Sequence, residues 1–498
     1  MMFPHDLSAG LIVPFAGVLL LSVAILVWSA RRTRTASDFF IAGERIGPWQ
    51  NALALAGDFV AAAGLLGITG LIALYGADGM VFAVGIVAGW PLIVFLFAAP
   101  LKQLGKYTLA DVLTTKLGDD RLRSLVAINQ LIVALTYLTA QFVGAGAILH
   151  LLFGVSETTG LLVVAVIMLV FMLMGGMLAA TWLQIIKATA MICVAMLVLG
   201  ACLARFDFNP VSLLHDAVSV RGPGIMLPGR LFQSPWETIS LLLGLALGGA
   251  SLPHVLMRMN TVADARTARK SAFLATSIIV VFHLIILMLG FAAVALLQPD
   301  AIRAADPGGN MALPLLAQLV GGDFLLGLVA SIALTTILAV VAGLCISGAA
   351  TLAHDVWGKV IRMGKADASE ELMVGRVASM LLILAALGTG VIFQGQNIGY
   401  MSAFGLAIAA SANFPALLLA IFWRPFTPAG AFAGMLSGLV LSLTLIALSP
   451  LVQIGVLHRP DTIFPLQNPG IVAIPTALIV SVLVSLLSRR HRLAPQGL

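Results

Sequence analysis

Long apolar runs recur along almost the whole chain and limit its fold more than any other feature. Of its 498 residues, 60% are hydrophobic and only 10% are charged, against roughly 25% charged residues in soluble domains. A helix that spans a bilayer needs about 20 apolar residues. The sequence therefore predicts an all-α integral membrane protein with about 13 transmembrane helices. They lie at 8–29, 51–75, 80–103, 124–153, 159–180, 182–203, 237–257, 271–296, 324–353, 372–393, 397–423, 428–448 and 470–488.

The positive charges predict the orientation of these helices. Basic residues concentrate in the cytoplasmic loops of membrane proteins. With the N-terminus outside and the C-terminus in the cytoplasm, 22 of the 27 lysines and arginines fall on the cytoplasmic side. No Lys or Arg precedes the first run, and Arg31, Arg32 and Arg34 follow it. That run is therefore predicted to be a transmembrane helix and not a cleaved signal peptide.

Motifs of soluble catalysis are missing from the sequence. Cys193, Cys202 and Cys345 lie inside apolar runs, without disulfide or metal-ligand spacing. No phosphate-binding glycine loop or nucleophile elbow is present, and the longer connections at 204–236 and 297–323 look like external loops. We therefore expect a secondary transporter and not an enzyme. It would have no cofactor, no resident metal, no nucleic-acid partner and no need of a nucleotide-binding subunit.

Two spans carry the pattern of a broken helix. The second contains Asp58 between Gly57 and Gly64, and the seventh contains Gly248 and Gly249 shortly before Pro253. Irregular backbone survives in a membrane only where it is buried or lines a cavity. Matching interrupted spans mark the binding site of inverted-repeat transporters. Because the two spans lie five apart, they predict two five-helix repeats of opposite orientation, 51–203 and 237–423. Close helix packing at small residues is the alternative for either span alone.

A helix break exposes N–H groups that favour a small anion. We therefore expect the solute near the two breaks, with two polar residues from other spans as further candidates. These substrate-binding candidates are Ala61, Ala62, Gly64, Gln141, Gly248, Gly249 and Asn413. Asn413, close to Pro415, also suggests a third break.

Isolated polar residues within the spans are candidates for coupling and gating. Asp58 is an acid near the centre of a span, so it could bind a cation, carry a proton or make a structural hydrogen bond. Lys187 could compensate Asp58, attract the anion or extend to the interface. His254 could be a gate or an interfacial structural residue. His283, alone in an apolar helix, is interpreted as structural.

Along nearly its whole length the chain resembles the sodium:solute symporter family, and most of all its cation–acetate symporter branch. The segments that carry the resemblance include Ser37-Asp38-Phe39-Phe40, Ala54 to Asp58, Gln141 to Gly146, Gly175 to Ala179, Leu252-Pro253-His254, Thr336 to Leu344 and Ala407 to Pro415. The resemblance implies a five-plus-five inverted-repeat core, one extra helix at 8–29 and two more within 428–488, all in one membrane domain, 1–498. It also implies a bacterial inner membrane and a lipid bilayer as surroundings.

The resemblance further implies a cation site between the first break and a later helix. Backbone oxygens would come from Gly57, Val60 and Thr336, and side-chain hydroxyls from positions 339 and 340. This chain has Ala339 and Val340 there, which offer no hydroxyl.

Function is expected from the same resemblance. The chain would import a small, acetate-like monocarboxylate by cation-coupled symport, with Na⁺ or H⁺ as the coupling ion. A proton carried by Asp58, another solute on the same fold, or a sensor that binds without transporting remain alternatives.

Overall fold

The computed structural model describes residues 8–30, 47–104, 108–119, 121–174 and 177–493, and these residues form helices and connections without a strand. The arginine cluster after the first run lies outside the described residues. In chain order the helices are α1 (Ala9–Ala30), α2 (Pro48–Phe59), α3 (Ala63–Tyr75), α4 (Ala77–Leu104), α5 (Leu109–Leu117), α6 (Arg121–Phe153), α7 (Glu157–Met174), α8 (Met177–Leu203), α9 (Pro210–Arg221), α10 (Pro235–Gly249), α11 (Pro253–Met257), α12 (Ala265–Leu296), α13 (Pro299–Ala305), α14 (Ala312–Ala350), α15 (Ala368–Ile392), α16 (Ile398–Phe422), α17 (Pro428–Ala447) and α18 (Gly470–Leu493).

The all-α membrane fold is confirmed. Within the described ranges, 10 helices are long and apolar enough to cross a membrane, and α2 with α3 forms an eleventh span bent by 54°. The remaining two predicted ranges hold α1 and α7, whose described apolar stretches are shorter, Ala9–Val18 and Glu157–Val170. The count of thirteen spans therefore stays a prediction.

The two interrupted helices pack at the centre of the bundle. The pair α2/α3 contacts α4, α6, α8, α12, α14 and α16, and the pair α10/α11 packs against α4 and α16. With α7 taken as a span, five spans run from α2 to α8 and five from α10 to α16, which is the number that the predicted inverted repeat requires. Helix α1 packs against α14, while α17 and α18 pack on each other and on α16. The three helices predicted to be additional thus pack on helices of the predicted repeats.

Both of the predicted external connections contain short helices. The connection 204–236 holds α9, and 297–323 holds α13 and the first turns of α14, which begins at Ala312 and not at 324. A kink at Gly322, with φ 65°, separates those turns from the long apolar part of α14. Glycine adopts this left-handed conformation without a steric penalty at Cβ. Hydropathy alone misses such short surface helices.

An ion-pair cluster joins the helices at one end of the bundle, which we name the closed end. Arg123 on α6 contacts Asp111 on α5 at 2.8 Å and Asp355, in the π-helical continuation of α14, at 2.7 Å. Thr108 donates a hydrogen bond to Asp355 over 3.1 Å. Asp111, His354 and Asp355 are close enough together to hold a metal ion. The guanidinium of Arg123 binds both carboxylates, however, so they form an ion-pair cluster.

Candidate functional site

The first break lies where the sequence predicts it. Helix α2 ends at Phe59 and α3 begins at Ala63, while the N–H groups of Gly64 and Leu65 donate to the Ala61 carbonyl over 3.0 and 3.2 Å. The first N–H groups of a helix have no intrahelical partner. This segment is buried inside the bundle. Backbone groups that are left free at the break can therefore bond to one another or to a solute, but not to bulk water.

Proline and a side-chain clamp produce the second break. Proline cannot donate the backbone hydrogen bond that would continue the helix, so α11 restarts at Pro253 after an extended Leu252, φ −67° and ψ 118°. Asn413 on α16 donates to the Ser251 carbonyl over 3.2 Å, and the Ser251 hydroxyl donates to the Ala409 carbonyl over 3.0 Å. These bonds fix the second break against α16.

The expected third break at Asn413 is wrong. Helix α16 runs without interruption from Ile398 to Phe422, with Pro415 inside it. Proline is tolerated in membrane helices where neighbouring groups satisfy the freed backbone. The Asn413 side chain is engaged at both ends, because Asn129 also donates to its oxygen. It therefore stabilises the second break.

A buried ion pair connects the two broken helices towards the closed end. Arg258, just after α11, binds Asp58 on α2 through Nε and Oδ2, and through Nη2 and Oδ1 at 3.1 Å. The residues are 1% and 4% exposed. Asn51 on α2 donates to the Arg258 carbonyl over 3.3 Å, and Thr261 donates to Asn51 over 3.0 Å. Asp58 is thus part of a buried ion-pair network that joins α2 to the segment after α11.

Lys187 lies inside the bundle and not at the membrane interface. It is 2% exposed, and its ammonium donates to the Gly57 carbonyl, the first of the expected cation ligands. One turn earlier on α8, Gln184 donates to the Ala339 carbonyl over 3.0 Å. The Thr336 hydroxyl lies 3.6 Å from the sulfur of Met191. One of the groups expected to hold a cation, the Gly57 carbonyl, is therefore engaged by a side chain of the protein itself.

A small inner cavity adjoins the first break. It measures about 10 Å³ and is lined by Gly64, Tyr137, Leu245, His283 and Ser402, among others. This volume suits roughly one water molecule. The side chain of Ser402 interacts with that of Tyr137 at this cavity. His283 Nδ1 lies 2.8 Å from the Ile279 carbonyl, which leaves its other ring nitrogen for the cavity.

A larger vestibule of about 350 Å³ opens at the end opposite the closed end. Tyr75, Gln396, Asn397 and Tyr400 contribute to its lining. The ring of Tyr400 packs edge-on against Phe82, which lines the inner cavity, with centroids 4.9 Å apart. The Phe82–Tyr400 pair therefore joins the lining of the vestibule to the lining of the inner cavity.

The remaining predicted site residues surround the two breaks. His254 is buried, and its ring lies 5.8 Å from that of Tyr137. Gln141 is fully buried, and neither atom of its amide has a partner within the described ranges. Buried residues also occupy the other predicted positions at the first break, on α10 and on α14, namely Val60, Ala61, Ala62, Gly248, Gly249 and Val340.

Three further residues of this region are not predicted from the sequence to belong to the site. They are Arg258, which pairs with Asp58, then His283, which the sequence indicates as structural, and Ser402. The useful signal was the isolated polar residue in an apolar span. It identifies His283 and Arg258, but not Ser402, because serine is common in membrane helices.

Comparisons with known proteins agree with this arrangement. The model of the sodium:solute symporter family matches residues 39–438. The chain is 40% identical over 479 residues to the uncharacterized symporter YwcA of Bacillus subtilis (strain 168), covering 95% of this chain and 93% of the relative.

Two solved structures share the fold. The substrate-bound outward-open state of a Na⁺-coupled sialic acid symporter superimposes with a TM-score of 0.77 at 14% identity, covering 97% of this chain and 98% of the other. The Eremococcus coleocola manganese transporter, in complex with an aromatic bis-isothiourea substituted compound, gives 0.53 at 15% identity, covering 89% and 94%. At these identities the two likenesses concern the fold alone.

Proposed function

The chain belongs to the sodium:solute symporter family, and from that premise we propose that it imports a small, acetate-like monocarboxylate together with a cation. Membership makes it a membrane transporter. The solute, the coupling ion and the direction of transport are our proposal. The residues at the breaks are proposed as the binding site.

The size of the inner cavity carries the proposal. A cavity that holds about one water, about 10 Å³, must widen even for a solute of four heavy atoms, and larger solutes require much more rearrangement. The start of α3 contributes N–H groups and the positive end of a helix dipole. Tyr137, His283 and Ser402 supply neutral hydrogen-bonding groups around it. This combination favours a short carboxylate.

Alternating access is supported by the unequal ends of the bundle. The Asp58–Arg258 pair and its bond to Asn51 hold the closed end together, while at the other end the aromatic pair Phe82–Tyr400 lies between the linings of the cavity and the vestibule. In the predicted topology the closed end faces the cytoplasm. The solute would then enter past Tyr400 and leave when the ion pair separates.

Labelled acetate uptake into proteoliposomes tests this function. We expect accumulation under an inward Na⁺ gradient or an inward H⁺ gradient imposed separately, and competition by other short-chain acids. Accumulation under the pH gradient alone would favour the proton-coupled alternative. Saturable acetate binding without uptake under either gradient would favour a sensor. An absence of both binding and uptake would exclude a short monocarboxylate as the solute.

Replacement of His283 should weaken solute recognition. His283→Phe keeps an aromatic ring at this position and removes the ring nitrogen that is available to the cavity. A buried hydrogen bond to a charged group contributes about 1.5–3 kcal/mol, so we expect KM for acetate uptake to rise by about tenfold or more.

His150→Phe is the matched control for this replacement. Its Nδ1 also lies 2.8 Å from a backbone carbonyl, that of Val155, but the side chain is exposed at the end of α6. We expect uptake to stay unchanged. Equal KM values for the wild type and His283→Phe would remove His283 from the binding site.

A further inference from the structure

Lys187 takes the place where a coupling cation would be expected. Helix α2 ends at the first break, and carbonyl groups at a helix C-terminus carry partial negative charge that attracts cations. The Gly57 carbonyl lies within the last turn of α2 and accepts a hydrogen bond from the Lys187 ammonium. Both residues are buried. The polypeptide thus supplies its own cation to this carbonyl.

The surrounding ligands suit an ammonium better than a sodium ion. A hard cation such as sodium prefers about five or six oxygen ligands, whereas an ammonium needs only a few acceptors. Ala339, Val340 and Ala61 have no side-chain oxygen. The Ala339 carbonyl already accepts a hydrogen bond from Gln184. The side chains at these three positions therefore supply none of the oxygen ligands that a sodium ion would need.

The local charge leads to the same conclusion. Lys187 interacts electrostatically with Asp58 and Arg258, and Arg258 already binds both carboxylate oxygens of Asp58. A further positive charge at the Gly57 carbonyl would be repelled by both Lys187 and Arg258, and repulsion between charges is strong where water is excluded.

We propose that the Lys187 ammonium is a built-in replacement for the sodium ion at the first helix break, and that it excludes sodium from this position. Lys187 is then a residue that determines ion specificity. A sodium ion that drives transport would have to bind elsewhere in the bundle. The inference depends on the proposed function in one respect, namely that transport uses a coupling cation.

Equilibrium binding of ²²Na⁺ to the purified full chain, without any solute, tests the proposal. In the variant Lys187→Ala/Ala339→Ser/Val340→Ser the ammonium is removed and two hydroxyls are supplied. We expect it to bind about one more ²²Na⁺ per chain than the wild type, since it has the oxygen ligands that sodium prefers. Ala339→Ser/Val340→Ser, which retains Lys187, is the matched control and should bind no more than the wild type.

Two results would overturn the proposal. One is the same gain of ²²Na⁺ in the control, because sodium would then bind beside Lys187. The other is no gain in a triple variant that is monodisperse and fully helical. If that variant does not fold, Lys187→Ser in the same background replaces it, with the same expectations. Because no solute is present, these outcomes are independent of acetate uptake, so failure of the proposed solute is recognised separately.

Discussion

Asp58→Asn should destabilise the protein more than any other single change at the site. The substitution removes the carboxylate charge that binds Arg258, which is 1% exposed, and that also attracts the nearby Lys187. Removing one member of a buried ion pair typically costs about 3–5 kcal/mol. We expect a clear fall in the thermal midpoint of the purified protein. We also expect loss of solute uptake, because the ion pair between the two broken helices is removed.

The partner substitution and an exposed pair provide the controls. Arg258→Met should cost less than Asp58→Asn, because Lys187 remains to neutralise Asp58. Arg362→Met breaks the exposed pair with Glu370, at 3.0 Å, and should cost only about 0–1 kcal/mol. An Asp58→Asn protein as stable as Arg362→Met would contradict a structural role for the buried pair.

This ion pair also marks the limit of what the sequence predicts. The spans follow from hydropathy, and both helix breaks follow from local residues such as Gly57 and Pro253. The long-range pairs do not, because Asp58 and Arg258 are separated by 200 residues and Lys187 and Gly57 by 130. Such pairs are set by the packing of α2, α8 and α11 together. A single sequence shows the charges without their partners.

The incorrect interpretation of Asn413 has a similar cause. Asn413 beside Pro415 has the local composition of a break, yet α16 continues because packing and side-chain bonds within the bundle hold it. His283 bonds to the Ile279 carbonyl, as a structural residue would, and the meeting of α3, α6, α12 and α16 also places a cavity beside it. Tertiary packing thus overrides local composition at Asn413 and sets the lining of the inner cavity, which local composition does not predict.

Gly248→Ala should have the second large effect, through backbone contact alone. An added Cβ at Gly248 would overlap the carbonyl group and Cα of Leu406 on α16. Backbone atoms of a packed helix cannot turn aside as a side chain can. Overpacking of this kind costs about 1–3 kcal/mol and sometimes more. We expect a lowered thermal midpoint. We also expect a loss of uptake larger than the lowered stability alone would cause, because α10 and α16 together line the inner cavity.

Two other glycines separate steric overlap from a general effect of alanine. At Gly249 an added Cβ would lie 3.2 Å from the end of the Phe59 ring, which can shift by a few tenths of an ångström. At Gly388 on α15 nothing lies within 4 Å, and alanine should be neutral or stabilising by up to about 1 kcal/mol. The expected order of damage is therefore Gly248, Gly249, Gly388. Equal stability and uptake for Gly248→Ala and Gly388→Ala would mean that α10 and α16 do not need this close approach, and that the second break tolerates a wider separation.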